Sequence, residues 1–125
     1  MDRRLYNRAA RDFPGSRIAM AELFEVATLT ERQASLSKAY LEFLRVPALS
    51  AGIYVLPAGA SDPQKPHSED ELYYVVRGRA RFLATEDFEV RAGSLIFVKA
   101  NEEHRFHSIT EELVVLVFFA PAESG

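Results

Sequence analysis

The 125 residues, 48% hydrophobic and 26% charged, suffice for one folded domain whose core needs no cross-links. The chain has no cysteine, which excludes disulfides, thiolate metal sites and cysteine nucleophiles and suits a reducing compartment, here expected to be the cytoplasm. The formal charge of -3 is uneven: residues 1–19 carry a net +3 and the rest a net -6, an acidic body that argues against nucleic acid as a partner.

No apolar run reaches the roughly 20 residues of a membrane helix, and the first residues lack the apolar stretch of a signal peptide. Residues 1–20 read as an N-terminal extension, with a short helix over Arg3–Arg11 that stops at Phe13-Pro14-Gly15. The folded domain is expected over 21–122. Leu23–Leu29 alternates as a first strand would, and Thr30 is placed to cap a short helix over Glu31–Leu36.

From Lys38 the texture is that of strands. Tyr40–Val46 and Ala51–Leu56 are rich in aromatic and branched residues and end at Pro47 and Pro57. Pro63 and Pro66 mark the next segment as a loop or an edge strand. Leu72–Val76 turns at Gly78 into Ala80–Ala84, and Phe88–Val90 and Leu95–Val98 follow. Arg105–Ile109 and Leu113–Phe119 complete the set. Short strands between regular turn signals indicate an all-β sandwich or barrel. The last run is apolar on both faces, so it is expected to be central or covered by a second subunit, which predicts a homodimer.

The chemistry-bearing residues are few. Of the three histidines, His67 lies four residues before Glu71, and on one strand both would face the same side. His104 opens a later strand after the polar turn 99–103. Neutral imidazole and carboxylate suit a divalent first-row metal, and two His with one carboxylate leave coordination positions open. The competing reading is that of ordinary histidines at strand ends. His107 is out of phase with His104 and is expected to face away from the interior. Tyr73 and Phe106 share faces with Glu71 and His104, as pocket lining or as core. Glu69 and Asp70 read as solvated loop charges, Glu102-Glu103 and Glu111-Glu112 as exposed turns. Arg77, Arg79 and Arg81 read as a solvated strand face.

Gly59–Gly78 resembles the first cupin motif, Gly-x5-His-x-His-x3-Glu-x6-Gly, with His67 at the second His, Glu71 at the Glu and Gly78 at the last Gly. Gly93–His104 resembles the second motif, Gly-x5-Pro-x-Gly-x2-His, with His104 at its His. Asp62–Glu71 also matches a pattern in a group of small bacterial cupins, Asp-Pro-Gln-x-Pro-His-x-Glu-Asp-Glu. The resemblance implies a conical antiparallel β-barrel, the double-stranded β-helix or jelly roll, holding one divalent ion (iron, manganese, zinc or nickel) through His67, Glu71 and His104. It implies a metal-dependent enzyme on a small organic molecule, dioxygenase- or isomerase-like, or alternatively a non-catalytic small-ligand barrel.

Two departures shape the site. Lys65 stands where the first motif has its first His, and an ammonium has no lone pair for a cation. Lys65 is expected to turn outward, leaving a fourth position to the adjacent Gln64 amide oxygen or to water. Lys99 and Asn101 replace the Pro and Gly of the second motif, and Asn tolerates the left-handed backbone such a turn needs.

Overall fold

A computed structural model describes residues 21–124. The expected helix over Arg3–Arg11 and the rest of the 1–20 extension lie outside the described residues. One helix and six antiparallel strands follow: α1 (Val26–Ala34), β1 (Tyr40–Val46), β2 (Leu49–Leu56), β3 (Asp70–Leu83), β4 (Asp87–Arg91), β5 (Leu95–Val98) and β6 (Arg105–Ala120). The sheet runs β1-β2-β6-β3-β4, and β5 pairs with the first half of β3. β6 is therefore central.

The expected strand over Leu23–Leu29 and helix over Glu31–Leu36 are replaced by α1. Leu29 and Gln33, one turn apart, are its buried residues, and Leu29 packs with Ile53 and Val114 on the outer face of the sheet. Thr30 is no cap; its hydroxyl donates to the Val26 carbonyl inside the helix, 2.8 Å away. A four-residue repeat of core contacts outweighed the apparent alternation.

Two strand pairs expected to be separate are each continuous. Gly78 does not end a strand: it sits inside β3 with φ +105, and its backbone closely approaches β6, where a Cβ would collide with the Glu112 carbonyl and lie 2.8 Å from Leu113 Cα. The irregular register there switches the inward set from Tyr73 and Val75 to Ala80 and Phe82. In β6 the same switch occurs around Ser108 (φ +50), between inward Phe106 and inward Ile109. Glu111 and Glu112 thus lie within β6 rather than in a turn, though both are exposed.

The core lies on the inner face, from Tyr54 and Leu56 on β2 through Tyr73, Val75 and Phe82 on β3 to Leu113, Val115, Val117 and Phe119 on β6. No helix of the described residues is long and apolar enough to cross a membrane.

Candidate metal centre

Three elements deliver the polar groups that interrupt this core. β3 carries Glu71 and Tyr73 inward, the start of β6 follows His104, and the loop between β2 and β3 supplies Asp62, Gln64 and His67. His67 is not on the strand of Glu71, as the same-face argument assumed. It precedes β3, and the loop is tied to the 99–104 turn by the Asn101 amide, which donates to the His67 carbonyl over 2.7 Å. Asn101 is left-handed, φ +68, as its place in the turn requires.

One candidate ligand atom each from His67, Glu71 and His104 lies within 4.8 Å of the others. His104 Nε2 is 2.6 Å from Glu71 Oε1, and both side chains are 1% exposed. The other ring nitrogen of His104, Nδ1, is 2.8 Å from the Glu102 carbonyl. A carbonyl only accepts, so Nδ1 carries a proton; Nε2 donates to the Glu71 carboxylate when the ring is protonated and offers a lone pair to a cation when the ring is neutral. Burial lowers the proton affinity of His104, but hydrogen bonds to Glu71 and the Glu102 carbonyl, with the charges of Glu71 and Asp62, outweigh it and raise the pKa above the ordinary value. His67 is oriented in the same way: its Nδ1 is 3.0 Å from Glu123 Oε2, which leaves Nε2 facing inward. His67 Nε2 and Glu71 Oε2 are buried without a hydrogen-bond partner.

Gln64 joins the cluster through its oxygen. Its Nε2 donates to Asp62 Oδ2 at 2.7 Å, so Oε1 points the other way and accepts from the Tyr73 hydroxyl at 2.9 Å. That hydroxyl also lies 3.2 Å from Glu71 Oε1 and 3.0 Å from His104 Nε2. Its one proton can serve Gln64 Oε1 or Glu71 Oε1, and His104 Nε2 only when that ring is neutral. Burial first, and then the Glu71 charge, push the Tyr73 pKa well above the ordinary phenol value, so the proton stays. Lone pairs outnumber donors in this pocket, which is the environment a small cation satisfies.

Phe106 is fully buried against Tyr73 and Phe82, with ring centroids 5.1 and 4.9 Å away. Lys65 is exposed. His107 is half-buried, with Nε2 3.0 Å from Asp87 Oδ1, and takes no part in the cluster. Glu69 corrects an expectation: it is 6% exposed, and its carboxylate accepts from the Ser68 and Ser124 hydroxyls at 2.6 and 2.8 Å. The Ser68 bond, with those from Ser124, holds its pKa below the usual carboxylate range against the opposing effect of desolvation. Asp70 stays exposed and accepts from the Ala100 amide.

Three residues escaped the sequence argument. Asp62 is buried and accepts from the Tyr54 hydroxyl (2.6 Å), Gln64 Nε2 (2.7 Å) and the Phe106 amide (2.9 Å), pinning the loop to β2 and β6. Its membership of the Asp62–Glu71 pattern was the available signal. Glu123 lies beyond the last strand and past the expected boundary at 122, where nothing in the sequence marks it. Tyr40 reads only as a strand aromatic, yet its hydroxyl is buried without a partner. Burial foremost, with the Glu123, Glu42 and Glu71 charges, raises its pKa, so it keeps its proton.

A cupin-domain family model matches residues 52–119, more than half of the chain. The chain belongs to the cupin family. An uncharacterized protein of Streptomyces coelicolor is 46% identical over 102 residues, 81% of this chain and 97% of that protein. An RmlC-like cupin family protein with a double-stranded β-helix fold from Methanocaldococcus jannaschii superposes with TM-score 0.66 at 16% identity, over 82% of this chain and 93% of that one. The DMSP lyase DddQ from Ruegeria pomeroyi gives TM-score 0.57 at 23% identity over 60% of this chain, and the match spans 39% of DddQ. At such identities the structural likeness establishes the fold alone.

Proposed function

We propose that the chain binds one divalent first-row metal ion through His67, Glu71 and His104, with the Gln64 amide oxygen as fourth ligand, and acts as an enzyme on a small organic molecule. The observation that carries this reading is the surplus of buried lone pairs: His67 Nε2 and Glu71 Oε2 are unpartnered beside His104. A bound ion would supply Lewis-acid polarisation of a substrate oxygen.

The chain's own residues do the rest. The Glu102 carbonyl and the Glu123 carboxylate fix the tautomers of His104 and His67, so each ring offers Nε2. Asp62 fixes the Gln64 amide with its oxygen toward the cluster. Tyr73 holds a proton 3.2 Å from Glu71 Oε1. Phe82, Phe106 and Phe119 wall the site with apolar rings and limit water. That DddQ is by name a lyase supports enzymatic chemistry without choosing the reaction.

Plasma mass spectrometry on untagged protein tests the reading. Wild type should carry one equivalent of metal, and His67→Ala, Glu71→Ala and His104→Ala should each lose it while His107→Ala keeps it. Lys65→His should change affinity only modestly, since Lys65 is exposed. Full occupancy in His104→Ala would refute the ligand set. A metal-free wild type that becomes a tight binder as Lys65→His would mark an emptied barrel and end the enzyme reading.

We also propose that the chain forms a homodimer through the outer face of β3 and β5. Phe97–Leu72–Phe118 and Leu95–Tyr74–Leu116 run in register across the sheet, and Leu95 and Phe97 are 66% and 64% exposed. A second copy of this face is the apolar surface that would cover it.

A further inference from the structure

Glu69 is a buried carboxylate that the proposed metal centre does not use. Its side chain meets hydrogen-bond donors on two serines rather than a cation: the Ser68 hydroxyl at 2.6 Å, the Ser124 hydroxyl at 2.8 Å and the Ser124 amide at 3.3 Å. Both Ser124 groups belong to the segment that follows β6. A buried charge is tolerated where donors satisfy it, so this one ties that segment to the loop between β2 and β3.

The same segment is held elsewhere by further polar contacts. The Ala122 amide donates to the Pro47 carbonyl over 3.2 Å, and the Glu123 amide donates to the buried Ser50 hydroxyl over 2.9 Å. The Glu123 carbonyl accepts from the Arg45 guanidinium at 2.7 Å, and its carboxylate reaches the His67 ring, with Oε2 3.0 Å from Nδ1. Residues 121–124 belong to neither core cluster. Segments with few apolar contacts open locally at far lower cost than the strands of a core. The three candidate ligands differ in the same way. Glu71 lies on β3, His104 abuts β6, and the side chain of each is 1% exposed. His67 lies in the loop, 20% exposed, with Glu123 against its ring.

We infer that residues 121–124 form a latch on the metal centre: by holding the His67 ring through Glu123 and its loop through Ser124, they set how fast a metal ion enters and leaves. The inference rests on the proposed metal binding and goes beyond it, since a ligand set fixes affinity but not the route of exchange. Release needs one ligand to withdraw, and His67 is the one backed by a polar segment rather than by the core. Glu123 and Ser124 have separable effects. Glu123 orients the ring that would meet the ion, so its loss lowers affinity. Ser124 touches none of the three ligands and holds the latch shut with or without the ion. Its loss speeds entry and exit alike and leaves the binding equilibrium nearly unchanged.

Zinc(II) is the probe, loaded onto the full chain and released to a colorimetric chelator at concentrations that no longer alter the rate. Zinc affinity by competition and melting temperature are recorded on the same samples. Ser124→Ala should release zinc about fivefold faster or more, as expected for one lost hydrogen bond to a carboxylate, with an affinity within about twofold of wild type. Ser124→Thr, which keeps the hydroxyl, should restore the slow release. Glu123→Ala should weaken zinc binding about tenfold or more while still taking up one equivalent at saturation. Unchanged release in Ser124→Ala, or unchanged affinity in Glu123→Ala, would overturn the latch and leave the metal centre standing. Release that quickens in Ser124→Ala only in proportion to lost affinity would also overturn it, because that marks a loosened site rather than a faster route. Wild type that takes up no zinc would end both readings.

Discussion

β3 is two strands in one, and its halves obey opposite rules. Beyond Gly78 it is ordinary: Ala80 and Phe82 point into the core, while Arg79 and Arg81 face solvent and pair with Glu111 and Asp87. Before Gly78 the pattern is inverted. Glu71 and the Tyr73 hydroxyl are buried, and Leu72 and Tyr74 stand exposed beside Phe97 and Leu95. Buried polar groups and exposed apolar ones are each the informative exception. Here both exceptions occur on the same four residues, one on each face: the proposed metal centre lies behind one face and the proposed dimer contact before the other. The far half shows neither exception.

The largest effect expected from this contrast is on the polar side of the near half. Asp62→Ala strands the Tyr54 hydroxyl and the Phe106 amide in the interior, and should cost about 2–4 kcal/mol in chemical denaturation. A loss under ~1 kcal/mol would show that the loop does not depend on this anchor. Next in size, Phe97→Glu on the apolar side should raise the dimer dissociation constant about 10–100-fold, read as a fall in mass by light scattering at micromolar concentration. Wild type that is already monomeric under those conditions would remove the outward role of the near half.

The far half should respond weakly. Arg79→Ala breaks an ion pair that is 62% and 60% exposed, and should move stability by no more than ~0.5 kcal/mol. The smallest effect concerns pH. The His107 hydrogen bond first, and then the Arg81 charge, hold the Asp87 carboxyl below its usual range. A carboxylate with a depressed folded pKa stabilises the fold above its unfolded pKa and loses that contribution as pH falls through the lowered value. Asp87→Asn should remove this part of the acid-limb slope, and an unchanged slope would show that the contact contributes nothing.

Much of this was legible in the chain itself. Tyr40–Val46 and Leu95–Val98 follow the limits set by their β-rich composition and neighbouring turn residues. The cupin resemblance named His67, Glu71 and His104, and the fold brings one nitrogen or oxygen atom of each within 4.8 Å of the others. What misled was local. Gly78 carries the usual mark of a turn, but here it permits two backbones to approach, and that need becomes visible only with β6 alongside. The same-face argument for His67 and Glu71 reached a valid proximity by an invalid route, because the prolines take His67 off the strand and the turn around Asn101 returns it. Glu69 was misjudged because its partner, Ser124, lies 55 residues away, beyond the reach of any local pattern. Tyr40 and Gly52 were unreadable as a pair for the same reason, since only the packing of β1 against β2 lays the Tyr40 ring over Gly52.

The position of β6 also bears on how the protein can be made. It follows every other strand in the chain, yet it lies between β2 and β3 and pairs with both. Until β6 emerges, the hairpins β1–β2 and β3–β4 can close, but nothing joins them. The inner faces of β2 and β3 stay uncovered, and Glu71 awaits His104. The sheet, its core and the proposed metal centre can therefore form only after residues 105–120 have left the exit tunnel. A nascent chain stalled before β6 should be protease-sensitive throughout and unable to retain a metal ion.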